Sequence, residues 1–91
     1  MKKKITIIGI GGQMGQWFAK YFLANDFEVT GYDTENKTRE KGIIHADSLV
    51  GGILKADYVV LCTPTRRTPE IIRLIAKEMK RGTYLIEISS E

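Results

Sequence analysis

The chain has 91 residues, 43% of them hydrophobic, one cysteine and a formal net charge of +3. That length holds one sheet with its helices and leaves no room for a second sizeable core. A lone cysteine excludes an internal disulfide, and without a run near 18 apolar residues or a signal-type segment the expectation is one soluble, cytoplasmic domain over residues 1–91 with no membrane partner.

Lys2-Lys3-Lys4 is too short for a targeting segment and leads directly into Ile5 to Ile8, a continuous apolar strand of the kind covered by helices on both faces. The strand breaks into Gly9-Ile10-Gly11-Gly12-Gln13-Met14-Gly15 and opens a helix. Three physical needs of a dinucleotide-phosphate cradle are met by glycines there: a tight turn, close approach of a diphosphate to bare N–H groups, and near contact of helix and strand. The helix adds unpaired N–H groups and the positive end of its dipole at the same spot. A triphosphate loop would end in Gly-Lys-Ser/Thr, whereas this turn ends in Gln13-Met14-Gly15. Counting back from Gly15 makes Gly12 the second glycine and puts Ile10 where the first is usual. Counting forward gives Gly9, Gly11 and Gly15 with one extra residue. Both counts leave a workable turn, so Gly9, Gly11, Gly12, Gln13, Met14 and Gly15 all stand as cofactor-binding candidates.

The helix covers Gln13 to Ala24, with Met14, Phe18, Ala19, Phe22 and Leu23 on one buried face and Trp17 and Tyr21 bordering it. Asn25-Asp26 closes it, and Phe27 to Asp33 alternates as a second strand. Asp33 stands about 18 positions beyond Gly15, where a dinucleotide fold places the carboxylate that accepts from the adenosine ribose. A charge there repels a 2′-phosphate, so NAD is favoured; Lys37 and Arg39 lie near enough in sequence to keep NADP possible.

Residues 34–41 read as a short helix or loop, and Gly42-Ile43-Ile44 as a brief third strand. His45 follows as a loop residue with no partner for catalysis. Ser48 is expected to cap a helix carrying Leu49, Val50, Ile53 and Leu54, although Gly51-Gly52 in its middle disfavours helix. Tyr58 to Cys62 is a second doubly covered strand, with Cys62 a small buried hydrophobe, and its exit places Thr63 and Pro64 at the carboxyl end of the sheet, beside the ligand crevice. Thr68-Pro69-Glu70 reads as N-cap, first-turn proline and first-turn acid of a helix burying Ile71, Ile72, Ile75 and Met79. Lys80-Arg81-Gly82 reads as its end, and Tyr84 to Ile88 as the fifth strand. The basic residues carry no recognition motif and read as a solvated face, so no nucleic-acid partner is expected. No metal ligands group in the sequence.

Strands alternating with helices through right-handed crossovers give an α/β fold: a Rossmann-type doubly wound parallel sheet of about five strands in order 3-2-1-4-5.

Four segments then carry a resemblance. Ile7-Ile8-Gly9 through Met14-Gly15-Gln16-Trp17-Phe18-Ala19-Lys20, Phe27-Glu28-Val29 ahead of Asp33, Ala56-Asp57-Tyr58-Val59-Val60, and Leu85-Ile86-Glu87-Ile88-Ser89-Ser90 resemble the amino-terminal NAD(P)-binding domain of prephenate dehydrogenase. Related reductases of β-hydroxyacids and pyrroline carboxylate share the Gly-x-Met-Gly theme. The resemblance implies oxidative decarboxylation of prephenate to 4-hydroxyphenylpyruvate in tyrosine biosynthesis, and a full enzyme that is oligomeric and meets its small-molecule substrate only with a second, helical domain. By the same resemblance Ser90 is substrate-proximal. The family's catalytic histidine, followed by proline beyond the fifth strand, has no match, so no residue of this chain is expected to be catalytic. A competing reading is a non-catalytic module that senses NAD.

Overall fold

The computed structural model describes residues 2–33, 41–62 and 68–88. Strands β1 (Lys4–Ile8), β2 (Glu28–Tyr32), β3 (Ile44–His45), β4 (Tyr58–Leu61) and β5 (Tyr84–Glu87) alternate with helices α1 (Gln13–Ala24), α2 (Leu49–Ile53) and α3 (Thr68–Glu78). The strands form one sheet in the order β3-β2-β1-β4-β5, parallel throughout, with β1 central as its apolar run requires. This is the expected Rossmann-type order.

Alternation along β1 divides the core. Ile5 and Ile7 face α1 and pack with Ala19, Val29 and Val60, with Phe18 and Phe22 against them. Ile8 faces the opposite layer with Val59, Leu61, Ile53 and Ile75, where Ile71 and Ile72 of α3 and Met79 just beyond it complete the packing. Each fully buried aliphatic side chain contributes about 2 kcal/mol. Thr6 is the buried polar exception, and its hydroxyl donates to the Gly52 carbonyl of α2. A Cβ at Gly52 would lie 3.2 Å from Ala46 Cβ and 3.4 Å from Thr6 Cγ2, so glycine lets α2 lie close on β1. Ser48 caps α2 as expected, its hydroxyl accepting from Gly51 N–H at 3.0 Å, and a Cβ on Gly51 would crowd that hydroxyl.

Four local expectations shift. Gly42 has a φ of +90°, which no ordinary strand residue adopts, so β3 begins only at Ile44 and includes His45, paired with Gly31. Thr68 is the first helical residue of α3 rather than its cap. That helix stops at Glu78, and Gly82 (φ +90°) serves the turn into β5 instead of closing the helix. Met14, placed by periodicity on the buried face of α1, is 38% exposed because Gly15 takes the position against the strand exit. Among the described residues no helix is long and apolar enough to cross a membrane.

Candidate dinucleotide cradle

At the carboxyl end of β1 the chain reverses through Gly9, whose φ of +88° requires glycine. Its N–H and that of Ile10 both donate to the Tyr32 carbonyl, at 2.8 and 3.2 Å. Gly11 N–H donates to Asp33 Oδ2 at 2.9 Å, and Gly12 N–H to the Gly9 carbonyl at 3.2 Å. The side-chain amide of Gln16 donates back to the Gly11 carbonyl at 2.9 Å. The turn is therefore held by three bonds to the end of the neighbouring strand, at Tyr32 and Asp33, and by two closer to itself, from Gly12 and Gln16.

The first turn of α1 differs. Gly12 is the N-cap in extended conformation (φ −80°, ψ 169°), offers no side-chain cap, and no acid follows in the first turn. The N–H groups of Gln13, Met14 and Gly15 find no acceptor among the described residues. Uncapped and unneutralised, this helix end keeps the donors and partial positive charge that an anion needs.

The glycine count left open by the sequence resolves into a third spacing. Gly9 makes the turn. Gly12 borders open space, with a hypothetical Cβ at 3.6 Å from the Gly9 carbonyl oxygen. Gly15 is pressed against the strand exit, where a Cβ would come within 2.2 Å of that oxygen and 2.9 Å of Ile10 Cα. Gly11, counted as a ligand-facing glycine, has its N–H committed to Asp33 instead. Sequence reading missed this bond; the only signal for it was that Asp33 and the turn share the carboxyl edge of adjacent strands.

Asp33, half-buried at the end of β2, thus lies beside the mouth of α1. Thr63, Pro64 and Ser90, with Lys37 and Arg39, fall outside the described residues. Cys62, expected to be buried, is only partly so: at the exit of β4 it packs against the α1-side core, and that burial pushes its thiol up to about 11. Two open depressions, of about 540 and 620 Å³, share Lys4, Glu28 and Lys55 in their walls, and the first extends over the sheet to Thr30, Ile44 and Ala46 beside α2. Neither is lined by Gly9 to Gly15 or by Asp33. Among the described residues no three His, Cys, Asp or Glu side chains gather as a metal site would require.

A doubly wound parallel sheet with an uncapped glycine-lined helix mouth at its central strand and an acid on the neighbouring strand defines a dinucleotide-binding domain of oxidoreductases. The chain belongs to the family described as D-isomer specific 2-hydroxyacid dehydrogenase, NAD binding domain, whose model matches residues 1–90, and NAD is the cofactor of that domain. It is 32% identical over 91 residues to a probable arogenate/prephenate dehydrogenase of Methanocaldococcus jannaschii, covering 94% of this chain and 20% of that protein. Among solved structures it is similar to a semialdehyde dehydrogenase NAD-binding protein from Cupriavidus necator in complex with calcium and NAD, with TM-score 0.83, 29% identity and coverage of 97% and 33% of the two chains. The NAD-dependent formate dehydrogenase of Staphylococcus aureus in complex with NAD has the same fold, with TM-score 0.83, 23% identity and coverage of 98% and 27%. The chain spans a fifth of the length of the first of these relatives and about a third or less of the two structures.

Proposed function

We propose that residues 1–91 are the cofactor-binding domain of an NAD-dependent dehydrogenase that oxidises prephenate. The observation that carries the cofactor part is the set of unpaired N–H groups at Gln13, Met14 and Gly15 beside the Asp33 carboxylate. In this reading the diphosphate is bound by those N–H groups, with Gly12 giving it room. The Asp33 carboxylate, which accepts from Gly11 N–H in the free protein, takes the adenosine ribose hydroxyls. NADP remains a weaker alternative, because the Asp33 charge opposes a 2′-phosphate.

Bound NAD supplies the acceptor for a hydride leaving the hydroxyl-bearing carbon of the substrate. In this reading Thr63 and Pro64 contribute to cofactor binding and Ser90 to the substrate side. The base that takes the hydroxyl proton, the substrate domain and any oligomer contact belong to the rest of a longer enzyme. The 32% identity to the archaeal relative named for arogenate/prephenate supports prephenate. The family model supports a second reading, oxidation of a simple D-2-hydroxyacid at the same cradle.

Titration of NADH and NADPH against the purified chain, followed by energy transfer from Trp17, tests the cofactor reading. NADH is expected to bind more tightly than NADPH, and Asp33→Ala to weaken NADH by about 10- to 100-fold, the worth of a hydrogen bond to a charged group. Absence of saturable binding by the folded chain would contradict it. NAD reduction by the full-length gene product with prephenate, and not with D-2-hydroxyacids, would decide between the two substrates.

A further inference from the structure

Ile10 occupies a position in the turn where glycine is usual, and its side chain does not face the ligand side. It is 1% exposed and belongs to the core with Ile5, Ile7, Val29 and Val60. It lies directly across Gly31 of β2, where a Cβ would come within 2.6 Å of Ile10 Cγ1 and 2.9 Å of Ile10 Cβ. The two residues on either side of that contact are size-matched, an isoleucine resting on a bare Cα.

Gly31 and Tyr32, the last residues of β2, and Asp33 just beyond them receive the contacts that the turn makes with its neighbouring strand. Gly31 receives the Ile10 side chain, the Tyr32 carbonyl accepts from Gly9 and Ile10 N–H, and the Asp33 carboxylate accepts from Gly11 N–H. A packed side chain flanked by hydrogen bonds fixes an offset far better than hydrogen bonds alone, since close-packed contacts yield little. We propose that Ile10 is a positioning residue for dinucleotide recognition: seated on Gly31, it sets the distance between the Asp33 carboxylate and the N-terminus of α1, and through it the discrimination between a free ribose and a 2′-phosphate. The inference rests on the cofactor reading above. Its specificity lies in geometry, because Ile10 touches no part of the ligand.

The test compares wild type, Ile10→Ala and the double variant Ile10→Gly/Gly31→Ala, in which the residue-10 Cβ that would lie 2.9 Å from the new methyl is removed, by titration with NADH, NADPH and inorganic pyrophosphate, and by the amide resonance of Gly11 in the ligand-free chain. Ile10→Ala is expected to displace the Gly11 resonance, lower NADH affinity by about tenfold, as for loss of one good hydrogen bond, and bring the NADH to NADPH ratio toward one. Pyrophosphate affinity should stay within about twofold, because the N–H groups of Gln13, Met14 and Gly15 are untouched. The double variant, which returns a methyl to the gap from the strand side, should recover part of the ratio. If Ile10→Ala does not fold, Ile10→Val carries the same prediction at a smaller fold-change. An unchanged ratio and Gly11 resonance in a folded variant would overturn the proposal, as would a parallel loss of pyrophosphate and NADH, which marks general collapse of the turn. Wild type that binds no dinucleotide overturns the cofactor reading and this role with it, whereas wild-type binding with an unmoved ratio in the variants overturns this role alone.

Discussion

Single glycines in the turn answer to different masters, and substitution separates them. Gly12→Ala fits the free protein, since its backbone is extended and the new methyl lies at ordinary contact distance from the Gly9 oxygen. The expected outcome is an unchanged denaturation midpoint with NADH affinity reduced by tenfold or more, read by paired urea melts and titrations. Gly15→Ala should differ by lowering the denaturation midpoint. Its methyl would meet the Gly9 carbonyl at 2.2 Å, so the helix must move off the strand at a cost of about 1–3 kcal/mol or more. Cys62 offers a quieter check: with its thiol pushed up to about 11 by burial, it should react with an aromatic disulfide reagent at neutral pH far more slowly in the native than in the unfolded chain. What sequence showed at this scale was residue type in a pattern. The fit of Ile10 on Gly31 was invisible, because it is a contact between the turn after β1 and the end of β2 that spacing within neither segment displays.

Elements were legible where periodicity was long. The apolar run of β1, the spacing in α1 and the proline-acid start of α3 gave those elements and their order. Short elements were set by packing instead. Gly51-Gly52 argues against a helix by propensity, yet α2 forms because its glycines admit the Ser48 cap and the Thr6 contact. The start of β3 depended on left-handed Gly42, whose sign of φ no sequence displays, and α3 ended at Glu78, ahead of left-handed Gly82. Asp57, just before β4, joins three elements: its carboxylate accepts from Lys4 N–H at 2.9 Å and pairs with Lys80 at 3.3 Å, while its carbonyl accepts from Tyr84 N–H at 3.0 Å. The Lys4 N–H first, and Lys80 next, hold its carboxyl below the ordinary value. A depressed native pKa contributes stability that is fully present above the unfolded value and is lost as pH falls through the native one. Asp57→Asn should therefore lower the urea midpoint slightly at neutral pH and leave it equal to wild type in strong acid. The effect is small because the group is exposed.

Across the whole molecule the two sheet faces are unequally covered. On the α1 side Tyr84 and Ile86 of the edge strand β5 remain 66% and 41% exposed, linked through the stacked Tyr58 ring to the aromatic packing under α1. Exposed apolar groups on an edge strand favour association. Ile86→Lys should raise the concentration at which the isolated chain begins to scatter light, with no loss in its thermal midpoint. The fold order was readable in full from alternating elements and the handedness of crossovers, whereas the coverage of β5 was not, since it depends on which helices lie over which strand. The cradle was readable as a place, from glycines after a central strand and an acid on the next, but its donors were not, because they are defined by which N–H groups the turn itself leaves over. That division of donors is the centre of the account, and amide chemical shifts during NADH titration of the labelled chain test it directly. The account predicts saturable shifts largest at Gly12, Gln13, Met14 and Gly15. Saturable binding with these amides unmoved, and shifts instead around Lys4 and Lys55 at the opposite end of the sheet, would contradict it.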